Sequence, residues 1–485
     1  MNSKGTTVEK SRKAFDSWRH SSLEERKEYL SKIRRVILED LDPIVKEIAE
    51  GTGKADSEVI MSDILPTLEI IKYYEENGKQ ILSKEQRKTP RIFINNSSHV
   101  EYKPIGVVLV ISPWNFPLQL SLVPAITALA AGNTVILKPS SKTSFIGETI
   151  GRIIKKAGFP ENVLQVVQGK GDKAQQLIKQ KPDKIFLTGS VSTGKKVMKA
   201  ASENLIPVEL ELGGKDPMII FEDADLERAA GAAVYGAFAN AGQFCVSIER
   251  LYLQESIHDE FIEKVLEKTN KLRIGKGKNA DVGAIISEEQ IQFIEGQIDD
   301  AVKKGAKLLT KRKRQGLFLY PQVIVNANHE MRVMTEETFG PVLPIMKFKN
   351  EEQAIQLAND SDYGLNSSIW TKDIEKAERV VRALETGNAY INDVIKNIGN
   401  PYLPFGGAKN SGIGMYHGPE GLKSMSQQCS IMKNPNKGEE PNWFPYSPEI
   451  YDMVRTLVET NYGEINPIKK TKNYIQLYKQ IKKLR

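Results

Sequence analysis

An α/β fold, with a parallel sheet covered by helices on both faces, is what this sequence predicts, and three observations carry the prediction. From Lys103 onward, short apolar runs rich in β-branched residues alternate with helix-length segments, the pattern of βαβ units. Turn residues punctuate the helix ends, as at Gly132-Asn133 and at Gly158 with Pro160 beyond it. A second α/β series runs from Pro217 to about Asn392, with no internal repeat and no long low-complexity linker before it.

Before these series, the first ~80 residues read as helical, because Ala14, Trp18, Leu30, Ile33, Ile37, Leu41 and Ile48 recur near the helical period among charges. Arg91 to Val100 is short and β-like, with a turn at Asn95-Asn96. Strands are then expected at Ile105–Ile111, Thr134–Leu137, Val163–Val167, Ile185–Thr188 and Val208–Leu210, with helices at Pro117–Ala131 and Ser144–Ala157. Strand, helix and strand in that order make a parallel sheet of the Rossmann type. In the second series, helices are expected near Glu227–Ala239 and Glu352–Asn359, and strands near Arg250–Leu253 and Ala389–Ile391.

Composition narrows the function classes. The 485 residues suffice for two or three domains. No apolar run approaches the ~18 residues of a spanning helix, and Met1-Asn2-Ser3-Lys4-Gly5 lacks the apolar core of a signal peptide, so a cytoplasmic protein is expected. Two distant cysteines, Cys245 and Cys429, make no disulfide framework. The net charge of +7 is local. Lys469, Lys470, Lys472, Lys479, Lys482, Lys483 and Arg485 supply it without an acid among them, and the rest of the chain is balanced. A neutral body without a recognisable nucleic-acid module argues against nucleic-acid binding. His20, His99, His258, His329 and His417 are scattered without ligand spacing, so no metal site is expected.

Four segments carry chemistry. Cys245 ends Gly242-Gln243-Phe244-Cys245, where glycine and the nearby Asn240 suit a turn that presents a side chain. The alternative is a buried structural cysteine, which Cys429 fits better. Glu211 stands in Glu211-Leu212-Gly213-Gly214-Lys215. The run Val208 to Leu212 alternates, so Glu209 and Glu211 share a face, expected to line a crevice. A thiol and a base placed by separate loops suit covalent catalysis on a carbonyl. The others are Ser112-Pro113-Trp114-Asn115-Phe116-Pro117 and Glu336-Glu337-Thr338-Phe339-Gly340-Pro341. Lys138-Pro139-Ser140-Ser141-Lys142 and Phe186-Leu187-Thr188-Gly189-Ser190 each follow a strand, and Gly194 opens the next helix, whose free N–H groups can face a pyrophosphate.

In their chain order, from about Glu101 to about Ser426, the segments resemble the aldehyde dehydrogenase superfamily. The resemblance implies that family's fold: a Rossmann-type cofactor-binding domain (1–84 and 101–210), a second α/β catalytic domain (211–420) and a small β oligomerisation element (85–100 and 421–437). A basic tail follows (438–485). It also implies Cys245 as nucleophile, Asn115 as oxyanion donor and Glu211 as general base of thioester hydrolysis. For an NAD or NADP cofactor it implies Lys138 on the adenosine ribose, Ser190 with Gly189 and Gly194 near the pyrophosphate, and Glu337, Phe339 and Trp114 about the nicotinamide. Lys215 is as readily a surface residue. Many NAD-preferring members carry glutamate where Ser141 stands. A small hydroxyl beside Lys142 removes the charge that repels a 2′-phosphate and should admit NADP. The alternative is that Ser141 is a loop residue and another group grips the ribose.

Asn400-Pro401-Tyr402-Leu403-Pro404-Phe405-Gly406-Gly407 and Ser411-Gly412-Ile413-Gly414-Met415-Tyr416-His417-Gly418 resemble the class 3 branch. That branch implies medium- or long-chain aliphatic or aromatic aldehydes and a homodimer. The match weakens at Leu422, Met425 and Ser426-Gln427. Phe116, Leu120, Phe244 and Val246 are expected to shape the aldehyde pocket. Dimerisation would pair edges at Arg91–Val100 and at a strand near Gln427–Met432. In the tail, Tyr474, Leu477, Tyr478, Ile481 and Leu484 fall on one helical stripe among lysines, so this helix either lies on an anionic membrane or packs on protein. The rival activities are acyl transfer to another thiol, which gives a hydrolytic base little to do, and an inactive aldehyde-binding scaffold.

Overall fold

The computed structural model describes residues 5–90, 93, 95–440 and 443–484, with side chains to residue 480. The chain forms two compact units, residues 1–83 with 102–429 and residues 84–101 with 430–485.

The first unit holds two large sheets. A six-stranded sheet runs in the order Gly412–Ile413, Val208–Glu211, Lys184–Thr188, Val107–Ile111, Thr134–Lys138, Leu164–Val166. Its pleat explains the continuous apolar runs. Val108, Val110, Val135, Leu137 and Phe186 enter one core, while Val107, Leu109, Ile111, Ile136, Ile185 and Leu187 enter another on the opposite face. The first core includes the helices Gln119–Ala130 and Phe145–Lys156; the second includes Gly171–Lys179 and Val191–Ser202. Five strands are parallel as predicted, but Gly412–Ile413 closes the edge antiparallel to Leu210 and Glu211. A two-residue strand in a glycine-rich loop has too little apolar pattern to be read in advance.

A seven-stranded sheet follows: Lys307–Leu308, Gln322–Val325, Val342–Phe348, Ile248–Gln254, Asp216–Ile220, Ser368–Trp370, Tyr390–Ile391. All its pairings are parallel except the first. The N-terminal region is helical as expected, from Thr7–Trp18 to Leu65–Ile81. Thr6 and Glu9 cap the first helix reciprocally. Helix Gln119–Ala130 holds Pro124 and is buried throughout, so packing overrides proline's low propensity.

Glu85–Arg87 pairs antiparallel with Ser97–Pro104, and the strand Ser426–Lys433 completes a three-stranded sheet. Residues 91, 92 and 94 of the expected Arg91–Val100 hairpin lie outside the described residues. Helices Pro448–Tyr462 and Pro467–Leu484 form a hairpin, tied where Asn473 Nδ2 donates to Thr460 Oγ1 at 2.8 Å. The expected tail stripe is split. Leu477 is buried, Tyr474 is half-buried and Tyr478 is exposed. The side chains of Ile481 and Leu484 lie outside the described residues. Among the described residues, no helix is long and apolar enough to cross a membrane.

Candidate active site

The strand ends of the six-stranded sheet and the loop before Ile248–Gln254 enclose a cavity of about 590 Å³, and Cys245 and Glu211 both line it. The thiol is delivered by an unusual bend. Helix Leu226–Phe238 stops, and Asn240, Ala241 and Gly242 follow with φ of 51°, 54° and 71°. Three successive left-handed residues reverse the chain at an energetic cost that surrounding contacts must cover. Gln243 supplies several of them. Its Nε2 donates to the carbonyls of Asn240 (3.1 Å) and Ala284 (3.0 Å), and its Oε1 accepts from Ile286 N–H at 2.8 Å. A Cβ on Gly242 would lie 2.1 Å from the Gly340 carbonyl oxygen. We therefore expect Gly242→Ala to cost about 3 kcal/mol or more, read as a lowered midpoint of thermal or urea unfolding.

Glu211 ends its strand and is buried. It and the Cys245 thiol face each other, and neither carboxylate oxygen is held by a well-formed hydrogen bond. Burial pushes the Glu211 carboxyl up to about 8, against a smaller opposing pull from Cys245. Burial also pushes the thiol up, and Glu211, Asp216 and Glu337 add to it. Such a carboxylate is poised to take a proton near neutral pH. The two glycines after it make room for the site. A Cβ on Gly214 would lie 2.6 Å from the Cys245 carbonyl oxygen, and one on Gly213 would lie 2.4 Å from the Glu337 carboxylate. Glu209 shares the face of Glu211 but does not line the cavity. One pleat deeper, its carboxylate pairs with Lys184 Nζ at 2.8 Å and accepts from Ser424 Oγ at 3.0 Å.

Asn115 is also at the cavity wall, buried, with Nδ2 donating to the Gln243 carbonyl at 3.2 Å. That bond uses one of its two amide hydrogens and leaves the other for a ligand. The segment is anchored from below. Asp63 Oδ1 accepts the N–H groups of Leu118 (3.1 Å) and Gln119 (3.3 Å), and its Oδ2 accepts from Lys54 Nζ at 2.7 Å. Phe116 stacks on Phe244, with centroids 4.2 Å apart.

The remainder of the cavity suits a dinucleotide. Thr188, Gly189 and Ser190 line it, and Ser190 caps helix Val191–Ser202, accepting from Thr193 N–H at 3.3 Å. Thr188 Oγ1 is buried there with no partner within the protein. Glu337 accepts Gly214 N–H at 3.1 Å, and burial pushes its carboxyl up to about 8. Phe339 meets Trp114 edge to face at 5.4 Å. Both line the cavity. Lys138 ends the adjacent strand and Ser141 follows it, and neither lines the cavity. Gly194 lies inside the helix, four residues past its cap. A Cβ there would lie 2.8 Å from Leu212, so the close approach of this helix to the loop after Glu211 needs a glycine.

The aldehyde dehydrogenase family profile matches residues 5–431. The chain belongs to the aldehyde dehydrogenase family. It is 45% identical over 457 residues to a 4,4′-diapolycopene aldehyde oxidase of Methylomonas sp, covering 94% of this chain and 86% of that one. It is 36% identical to the betaine aldehyde dehydrogenase of Bacillus subtilis (strain 168), covering 89% and 90%. Among solved structures, the NAD-dependent aldehyde dehydrogenase from Sinorhizobium meliloti superposes with a TM-score of 0.86 at 33% identity, covering 90% and 88%. The Mycobacterium tuberculosis aldehyde dehydrogenase complexed with NAD+ gives 0.85 at 33%, covering 89% and 90%. Aldehyde oxidation is thus the chemistry of this family member.

For an aldehyde dehydrogenase, one further group matters that the motifs did not single out, and another that they left open. Glu249 accepts the N–H groups of Thr338 (2.7 Å) and Phe339 (2.8 Å) and so holds the loop bearing Glu337. Lys215, open to a surface reading, is 1% exposed and pairs with Glu249 at 2.7 Å. Its charge is needed because a lone buried carboxylate would be costly. Among the described residues, no cluster of His, Cys, Asp and Glu could hold a metal.

Proposed function

We propose that this enzyme oxidises apolar aldehydes, medium- or long-chain aliphatic or aromatic, to carboxylic acids with NADP or NAD. The observation that carries the chemistry is the Cys245–Glu211 pair, facing one another in a single cavity with Asn115. Cys245 releases its proton to solvent and adds as the thiolate to the aldehyde carbon, forming the thiohemiacetal oxyanion. The free Asn115 amide hydrogen and the Cys245 N–H stabilise the oxyanion. The nicotinamide cofactor, when bound, supplies the hydride acceptor. Thr188, Ser190, Glu337 and Phe339 would hold it, with Lys138 and Ser141 toward the adenosine ribose. Glu211 then takes a proton from water as the water attacks the thioester, and the acid leaves with the thiolate restored. In this reading residues 1–84 and 101–210 bind the dinucleotide, and 211–420 carry the chemistry.

Apolar walls support the substrate class, which also rests on the class 3-like resemblance. A second hollow of about 280 Å³ is lined by Leu65, Pro66, Phe244 and Ile398, with Glu69 and Lys396 also on its wall. The relative named for a polyene aldehyde belongs to the same chemical class. Absorbance at 340 nm with decanal, benzaldehyde and betaine aldehyde tests this. Decanal or benzaldehyde should give the higher kcat/KM; preference for the charged betaine aldehyde would overturn it. Ser141→Glu should move the NADP-to-NAD preference toward NAD by ~10-fold, or about 1.4 kcal/mol; an unchanged ratio would make Ser141 a bystander.

The active unit in this proposal is a cytoplasmic homodimer, paired through 85–100 and 421–437. Its tail touches anionic membrane through Ile468, Ile475 and Tyr478, which are exposed on a lysine-rich helix.

A further inference from the structure

Behind the nucleophile loop lies a carboxylate that the chemistry above does not use. Glu58, on the short helix Asp56–Val59, is 6% exposed. Its Oε1 accepts the backbone N–H of Asn240, the first of the three left-handed residues. Its Oε2 has no partner within the protein. From Asn240 the chain of bonds continues to the site. Asn240 Nδ2 donates to the Asn115 carbonyl at 3.2 Å and to the Gln243 carbonyl at 3.0 Å, and Asn115 Nδ2 donates to that same Gln243 carbonyl at 3.2 Å. Glu58, Asn240, Gln243 and Asn115 thus form one buried ladder, ending at an amide on the cavity wall.

A buried carboxylate satisfied at a single oxygen is an expensive way to hold one backbone N–H. What it secures is the orientation of Asn240, whose side chain grips Asn115 from the rear. We infer that Glu58 is a positioning residue for the oxyanion donor, setting the Asn115 amide through Asn240. The inference rests on the assignment of Asn115 as that donor. Burial pushes the Glu58 carboxyl up to about 7 despite Lys54, so a neutral amide of the same shape is a fair replacement.

The test uses full-length enzyme with decanal and NADP, reading the rate of the first turnover of cofactor reduction. It also reads the rate at which iodoacetamide alkylates Cys245, a reaction that forms no oxyanion. Glu58→Ala should slow reduction ~10–100-fold, the scale of a misplaced reacting group, and leave alkylation within about twofold. Glu58→Gln should recover most of the lost rate. In the Asn115→Ala background, Glu58→Ala should cost nothing more, because its effect passes through the missing amide. Asn240→Gly keeps the left-handed turn and the N–H to Glu58 but removes the grip on Asn115. It should match Glu58→Ala, and it keeps the test open if Glu58→Ala fails to fold. Losses that multiply in the double variant, alkylation slowed in parallel with reduction, or a normal Asn240→Gly would each overturn the inference. A normal Asn115→Ala would instead remove the oxyanion assignment beneath it. A slow Asn115→Ala with a normal Glu58→Ala would sink the positioning role alone.

Discussion

Cys245→Ala should abolish aldehyde-dependent cofactor reduction, lowering kcat/KM by at least ~10⁴-fold. The size of the effect follows from where the thiol sits. Cys245 is buried at the wall of the cavity, facing Glu211, and the other free cysteine, Cys429, does not line that cavity. No second thiol lines that cavity to replace it. The loop itself should survive the change. The bend is held by Gln243 and Gly242 rather than by the sulfur, so the variant should still fold and bind NADP. Absorbance at 340 nm with decanal, alongside cofactor binding by fluorescence, separates lost chemistry from lost structure. Residual turnover above about one part in ten thousand would mean another group forms the covalent bond, or that none is needed.

Glu211→Gln should split the reaction in two. The first turnover of cofactor reduction persists, but steady-state turnover falls ~10²–10⁴-fold, because the thioester waits for a base that is gone. The pH dependence has a definite sign. A general base works when deprotonated, and burial raises the Glu211 carboxyl to about 8. Steady-state turnover limited by hydrolysis should therefore rise with pH up to about 8 and level off above it, falling tenfold per pH unit on the acid side. In Glu211→Gln that acid limb should disappear. A first turnover lost along with the steady state would give Glu211 an earlier role, taking the proton from Cys245 itself.

Much of this site was legible because its residues carry their own turn chemistry. Gly213-Gly214 follows Glu211, and Gly242 precedes Cys245; each glycine proves to be a place where a Cβ would strike a neighbouring loop. The apolar runs at Val107–Ile111 and Lys184–Thr188 have too few polar positions to face water on either side, which makes them central strands. The illegible part is tertiary. Glu58 meets Asn240 across 182 residues of sequence, and Glu249 meets Thr338 across 89. No local pattern distinguishes such partners from surface acids. Strand periodicity put Glu209 and Glu211 on one face correctly, but periodicity says nothing of depth. Being two residues earlier carries Glu209 below the cavity onto Lys184. Lys215 was ambiguous for the same reason, since only the fold reveals that Glu249 is waiting for it.

The covalent account is tested most directly by trapping its intermediate. Glu211→Gln enzyme mixed with NADP and decanal, quenched in acid and digested, should yield a Cys245 peptide heavier by the decanoyl group, in amount equal to the cofactor reduced. The same peptide unmodified after cofactor has been reduced, or the acyl group found on another residue, would contradict it.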